Sequence, residues 1–130
     1  LGATLFSERV ADVFSPGDHG STFGGNSVCC AGAVNILSRI DDSLLAGVRE
    51  RSAYLFHELT GAEGIRSVTG MGLMIGLETA LPSRAFAEEA LAQGVLVTTA
   101  KQKVRLLPAL NIPMEQLKTA VAVLKRCAAE

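Results

Sequence analysis

Residues 16–26 read PGDHGSTFGGN, with glycine at 17, 20, 24 and 25, adjacent hydroxyls at Ser21 and Thr22, and the apolar stretch SVCCAGAVNIL directly behind. Glycine lets a ligand approach the backbone and leaves N–H groups unblocked. A following helix adds the positive end of its dipole, and the two together favour an anion, most naturally a phosphate. Ser21 and Thr22 supply two further donors. The same residues also suffice for a plain capped turn, with Asn26 or Ser27 as N-cap and the glycines meeting backbone needs. Other templates fail. There is no G-x-x-x-x-G-K-[ST], and in GSTFG Thr22 holds the slot that G-x-S-x-G reserves for serine. Gly70, Gly72 and Gly76 fall one residue out of dinucleotide-binding spacing and lie between strand-like runs.

Arg105, in KVRLLP, is the second candidate. Flanked by Val104 and Leu106 in a strand, it projects to the face opposite theirs, toward a cleft or solvent if those two pack inward. Pro108 closes the strand three residues later and keeps the side chain near its end. A guanidinium there suits a carboxylate, whose two oxygens match its planar fork; an ordinary surface arginine is the other reading.

The remaining chemistry-bearing residues are bland. Lys101 and Lys103 at a strand start, and Lys118 and Lys125 on the polar side of the last helix, read as solvated charges. His19 orders its loop, His57 lies among polar helix neighbours, and Glu78 ends a strand as a single carboxylate; no cluster forms a metal or acid/base site. Cys29, Cys30 and Cys127 are odd in number and lack C-x-x-C spacing, so they read as reduced core thiols.

The elements that must position these residues follow from periodicity. Ser7 caps a short helix over 8–14, preceded by a strand-like LGATLF, and a helix runs over about 27–39 with Val28, Ala31, Val34 and Leu37 in step. Asp41-Asp42 open a longer helix to about Thr60, whose stripe is Leu44, Val48, Leu55 and Leu59, widened by Leu45 and Phe56. IRSVTGMGLMIGLE reads as two strands joined at Gly70 and Gly72, and PSRAFAEEALAQG as a short helix with proline near N1 and glycine at C′. VLVTT and KVRLLP follow as strands, then a final helix from about Met114 with Leu117, Val121 and Leu124 on one face. The class is α+β: a small antiparallel sheet of three to four strands covered by helices.

Length and composition fit one ordinary domain. At 130 residues, 48% hydrophobic and 19% charged with net charge −1, the chain offers no basic face for nucleic acid and no apolar run of membrane-spanning length. It reads as soluble and cytoplasmic. LGATLF opens without methionine in what reads as mid-strand, so a piece of a longer protein is expected.

FSPGDHGSTFGGNSVCCAGAVNIL, GMGLMIGLE and VRLLPALNI occur in the order and approximate spacing found in class III pyridoxal-phosphate aminotransferases. The chain resembles the acetylornithine and ornithine aminotransferase group over essentially its whole length, and HGSTFGGN is a specific mark of that group. Two departures from the pattern are Ser27-Val28 in place of Pro-Leu after GGN, and Thr69 in place of an arginine before GxGLM.

The resemblance implies several things. Thr22, with Gly20 and Ser21 beside it, reaches across a homodimer interface to the phosphate of pyridoxal 5′-phosphate held mainly by the other subunit. Arg105 grips the substrate carboxylate. Residues 1–40 are the tail of the large cofactor-binding domain and residues 41–130 the C-terminal small domain of a fold-type I aminotransferase. The Schiff-base lysine, the acidic partner of the pyridinium nitrogen and the ring platform lie upstream of Leu1, so this chain alone is inactive and carries no catalytic residue. The implied reaction moves an amino group from N-acetylornithine to 2-oxoglutarate, giving N-acetylglutamate semialdehyde and glutamate in arginine biosynthesis. Ornithine, succinylornithine and 4-aminobutyrate are alternative donors. A free-standing module that senses an amino acid or phosphate is the alternative outside catalysis.

Overall fold

The computed structural model describes residues 1–129. They divide into two compact units, Leu1–Asp41 and Asp42–Glu130.

In the first unit, residues 1–6 are exposed and irregular rather than a strand, since a strand needs a neighbouring backbone and none of the described residues pairs with them. The helix expected over 8–14 shrinks to a single 3-10 turn, Glu8–Val10, and Ser7 makes no side-chain cap. A loop follows in which the Ser15 N–H donates to the Asp18 carboxylate at 2.7 Å and the Asp18 N–H returns to the Ser15 carbonyl at 3.1 Å. Helix α1 spans Ser27–Leu37 and starts on Asn26, whose Oδ1 accepts from the Cys29 N–H at 3.1 Å. None of its residues is buried.

The second unit contains α2 (Asp42–Leu59), β1 (Ile65–Met71), β2 (Met74–Thr79), α3 (Ser83–Ala92), β3 (Thr98–Ala100), β4 (Lys103–Leu106) and α4 (Met114–Ala129). The four strands form one antiparallel sheet in the order β1-β2-β4-β3, which is the α+β class expected. Alternation along β2 and β4 sends Ile75, Leu77, Val104 and Leu106 to one face, where they meet Leu55 and Leu59 of α2, Phe86 and Ala90 of α3, and Leu117, Val121, Leu124 and Cys127 of α4. All three helices therefore close one side of the sheet. Residues between the buried ones, Gly76 and Arg105 among them, face the other side.

Some boundaries differ from the sequence expectation: the strand expected over KVRLLP ends at Leu106, ahead of Pro108. Pro82 is the N-cap of α3, beside the expected N1 position. The strand expected over VLVTT begins only at Thr98, and Val95 is drawn into the cap of α3. There the Gly94 N–H bonds the Leu91 carbonyl at 2.9 Å and the Val95 N–H bonds the Ala90 carbonyl at 2.8 Å, with Gly94 at φ +86°. This pair of bonds is a Schellman cap, and it turns Val95 onto the core in place of a strand neighbour. No described helix is long and apolar enough to cross a membrane.

Candidate functional site

Two groups of residues carry the chemistry, one in each unit. In the first, Gly20, Ser21 and Thr22 occupy the exposed loop ahead of α1. The turn reading is realised here: Asn26 caps the helix, the Gly24 N–H closes onto the Ser21 carbonyl at 3.3 Å, and Gly17 and Gly25 take φ of +102° and +68°. That cap leaves the Ser21 and Thr22 hydroxyls without a partner among the described residues. At Gly20 no atom lies within 4 Å of where a Cβ would stand, so the backbone is open to approach.

In the second unit Arg105 is exposed on the open face of the sheet. Register places it between Gly76 of β2 and Thr98 of β3, and Gly76 in turn opposite Thr69 of β1. Thr69, Gly76, Arg105 and Thr98 thus form one row across all four strands. Arg105 donates through Nε to Thr98 Oγ1 at 3.1 Å, and no carboxylate among the described residues pairs with it. Lys103, on the same face, crosses Gly76 and donates to Thr69 Oγ1 at 2.9 Å; a Cβ at residue 76 would sit 3.3 Å from Lys103 Cδ. Glu78, also on this face, accepts from the Ser67 hydroxyl at 3.1 Å. The Arg105 guanidinium therefore stands on this face with its ion-pairing capacity unused among the described residues.

An open groove of about 540 Å³ adjoins Arg105 and Thr98, running between the segment 94–97, the end of β4 and the flank of α4. Its walls are mostly aliphatic, with Gln116 and Thr119 as polar exceptions. The other candidates lie elsewhere. Lys101 is exposed at φ +56°, Lys118 pairs with Glu115 at 2.8 Å, and Lys125 pairs with Glu58 at 2.6 Å. His19 and His57 are exposed, and no group of three or more metal-ligating side chains occurs among the described residues. Cys29 is exposed, Cys30 half-buried and Cys127 buried in the core.

Sequence reasoning missed Thr98 and treated Lys103 as an ordinary surface charge. The spacing of Lys103 and Arg105 does put them on one strand face. Their partners Thr69 and Thr98 come from pairings that no local pattern encodes.

The family model described as Aminotransferase class-III matches residues 1–128. The chain belongs to the class III aminotransferases. It is 39% identical over 132 residues to an acetylornithine aminotransferase of Haemophilus ducreyi, covering 100% of this chain and 34% of that protein. It is 41% identical over 130 residues to an ornithine aminotransferase of Bordetella pertussis, covering 95% of this chain and 32% of that one. Among solved structures, the acetylornithine aminotransferase from Elizabethkingia anophelis superposes with TM-score 0.74 at 28% identity, over 90% of this chain and 32% of that chain. This class III aminotransferase chain thus spans about a third of the length of the relatives it matches. The family depends on pyridoxal phosphate, and its architecture is that of fold-type I aminotransferases.

Proposed function

We propose that these residues are the C-terminal part of an enzyme that transfers an amino group from N-acetylornithine to 2-oxoglutarate, giving N-acetylglutamate semialdehyde and glutamate for arginine synthesis. The relatives named as acetylornithine aminotransferases support that donor, and the 41% identity to an ornithine aminotransferase makes ornithine the second reading. In this reading residues 1–40 belong to the large domain and residues 41–130 form the small one. The irregular, exposed first residues fit a segment that completes its pairing within a longer polypeptide.

The observation that carries the reading is the unpaired Arg105 guanidinium on the open sheet face, steered by Thr98. Both substrates of the reaction present a carboxylate, and in alternate half-reactions each meets the same fork. Arg105 binds and orients that carboxylate from the open face of the sheet.

Gly20, Ser21 and Thr22 are the residues that would hold the cofactor's phosphate. Two unpartnered hydroxyls beside a backbone with no side chain in the way make a donor set that fits an oxyanion. When bound, pyridoxal phosphate supplies the electron sink for amino transfer. The lysine that anchors the cofactor belongs, in this reading, to the part of the polypeptide outside these residues. Thr22 would act in a homodimer, contributing to the partner's phosphate site.

Arg105→Lys in the complete enzyme tests the substrate assignment. The ammonium keeps the charge but loses the fork, so the Michaelis constants for the amino donor and for 2-oxoglutarate both rise while the cofactor stays bound. If both constants stay unchanged, Arg105 is an ordinary surface residue.

A further inference from the structure

Arg51 on α2 donates through Nε to the backbone carbonyl of Ile112 at 2.6 Å, a half-buried bond between residues 61 positions apart. Ile112 lies in the segment 107–113 that joins β4 to α4, and its own N–H closes a turn onto the Ala109 carbonyl at 3.0 Å. That segment is the direct continuation of the strand that carries Arg105. Pro108, with its fixed φ, and the turn from Ala109 to Ile112 are what lie between the bonded carbonyl and the end of β4, so a shift at Ile112 bears on that end.

Gly47, one helical turn before Arg51, leaves open the space in which the end of the guanidinium lies. A Cβ at residue 47 would overlap Arg51 Nη1. Glycine within a helix is a poorer helix former than alanine, so α2 gives up propensity at the place where the guanidinium needs room.

We infer that Arg51, lying in the space left by Gly47, is a positioning residue for Arg105. It fixes the path of segment 107–113 and hence the end of β4, holding the Arg105 guanidinium where a substrate carboxylate meets it. The inference rests on the carboxylate role proposed above for Arg105. Because Arg51 bonds a backbone carbonyl, it acts on the chain and not on a ligand.

The test uses the complete enzyme and reads three quantities: calorimetric binding of glutarate, an unreactive dicarboxylate; kcat and KM for 2-oxoglutarate; and the unfolding temperature. Gly47→Ala favours the helix but crowds the Nη1 end of the guanidinium, Arg51→Met keeps the aliphatic stem without the donor, and Arg51→Lys restores a donor. Gly47→Ala and Arg51→Met should each weaken glutarate binding and raise KM by roughly three- to tenfold, below the hundredfold or so that a full ångström of misplacement can cost. The kcat should stay within about twofold, as for lost ground-state binding. Gly47→Ala should do this with an unfolding temperature unchanged or raised, and Arg51→Lys should recover part of the loss. In an Arg105→Lys background the same substitutions should have little further effect, since residues that act through one another are not additive. If Arg105→Lys weakens binding while Gly47→Ala and Arg51→Met leave it unchanged, or if their effects persist undiminished in the Arg105→Lys background, the positioning role is overturned. An Arg105→Lys enzyme with unaltered binding overturns the carboxylate reading instead. Should Arg51→Met fail to fold, Arg51→Gln takes its place.

Discussion

Arg105 Nε and Thr98 Oγ1 lie 3.1 Å apart across the β4–β3 pairing, and the same hydroxyl lies 3.4 Å from the Arg105 carbonyl. One threonine thus engages both the side chain and the backbone of the arginine. The contact uses Nε and leaves the terminal nitrogens for a ligand, so it limits the rotamers of the guanidinium without occupying its fork.

Thr98→Val keeps the shape and β-branching of the side chain but removes the hydroxyl. Exposure screens the interaction, so an effect of about 0.5–1 kcal/mol is expected, or roughly two- to fivefold in KM for carboxylate substrates. Measured kcat should hold. A Thr98→Val enzyme with unchanged KM would show that the hydroxyl does not hold Arg105 in its working orientation.

Much of the second unit is legible in its sequence because each element buries one face against another within the same unit. Leu117, Val121 and Leu124 repeat at helical spacing and are all buried on α4, and the alternation Val104, Arg105, Leu106 is reproduced as buried, exposed, buried. The stripe on α2 is legible at Leu55 and Leu59, which are fully enclosed, but Leu45 remains 38% exposed. The first unit defeats the same reasoning. Its apolar residues keep helical spacing, yet Val28, Val34 and Leu37 stay exposed, because periodicity says which residues seek cover and not where the cover comes from. The candidate site was half legible: Arg105 could be singled out from its alternation, but the row joining it to Thr98, Gly76 and Thr69 is a product of strand order and register.

Thr22 gives a second prediction. In the complete enzyme, Thr22→Ala removes one hydrogen bond to a charged phosphate, worth about 1.5–3 kcal/mol, which corresponds to roughly 10- to 150-fold in cofactor affinity. The Thr22 side chain is exposed, so the unfolding temperature of the apo protein should barely move. Cofactor titration followed by absorbance checks both. Unchanged affinity leaves the loop as a capped turn and nothing more.

The ion pair between Lys125 and Glu58 joins α4 to α2 at 2.6 Å. A hydrogen bond from Lys125, with a smaller one from His57, holds the Glu58 carboxyl below its ordinary value near 4.5. A carboxyl depressed on folding stabilises the fold fully above its ordinary value, and the contribution disappears as pH falls through the lower, folded value. Stability should therefore decline from about pH 4.5 downward. Glu58→Gln should flatten that part of the profile while lowering stability slightly at neutral pH. Chemical denaturation across the acid range measures it, and parallel acid profiles for the two proteins would remove Glu58 from the account.

The last prediction concerns the first unit. Helix α1 carries only Ser27 and Asn35 as polar residues, and none of its side chains is buried. Val28 is 78% exposed, Val34 68% and Leu37 65%, and Phe23 in the preceding loop is 84% exposed. A helix apolar on every side is stable in water only when enclosed, and contiguous apolar surface of this kind drives association. The 130-residue chain produced by itself should therefore self-associate, with apparent mass rising with concentration in sedimentation velocity. Val28→Lys combined with Val34→Lys places two like charges on α1 and should shift the species toward monomer. Neither residue packs into the core of the second unit, so its unfolding transition should not change. A wild-type chain that stays monomeric over a hundredfold range of about 1 to 100 μM would show that α1 finds no partner in a second copy, and its cover would then have to come from elsewhere in a longer polypeptide.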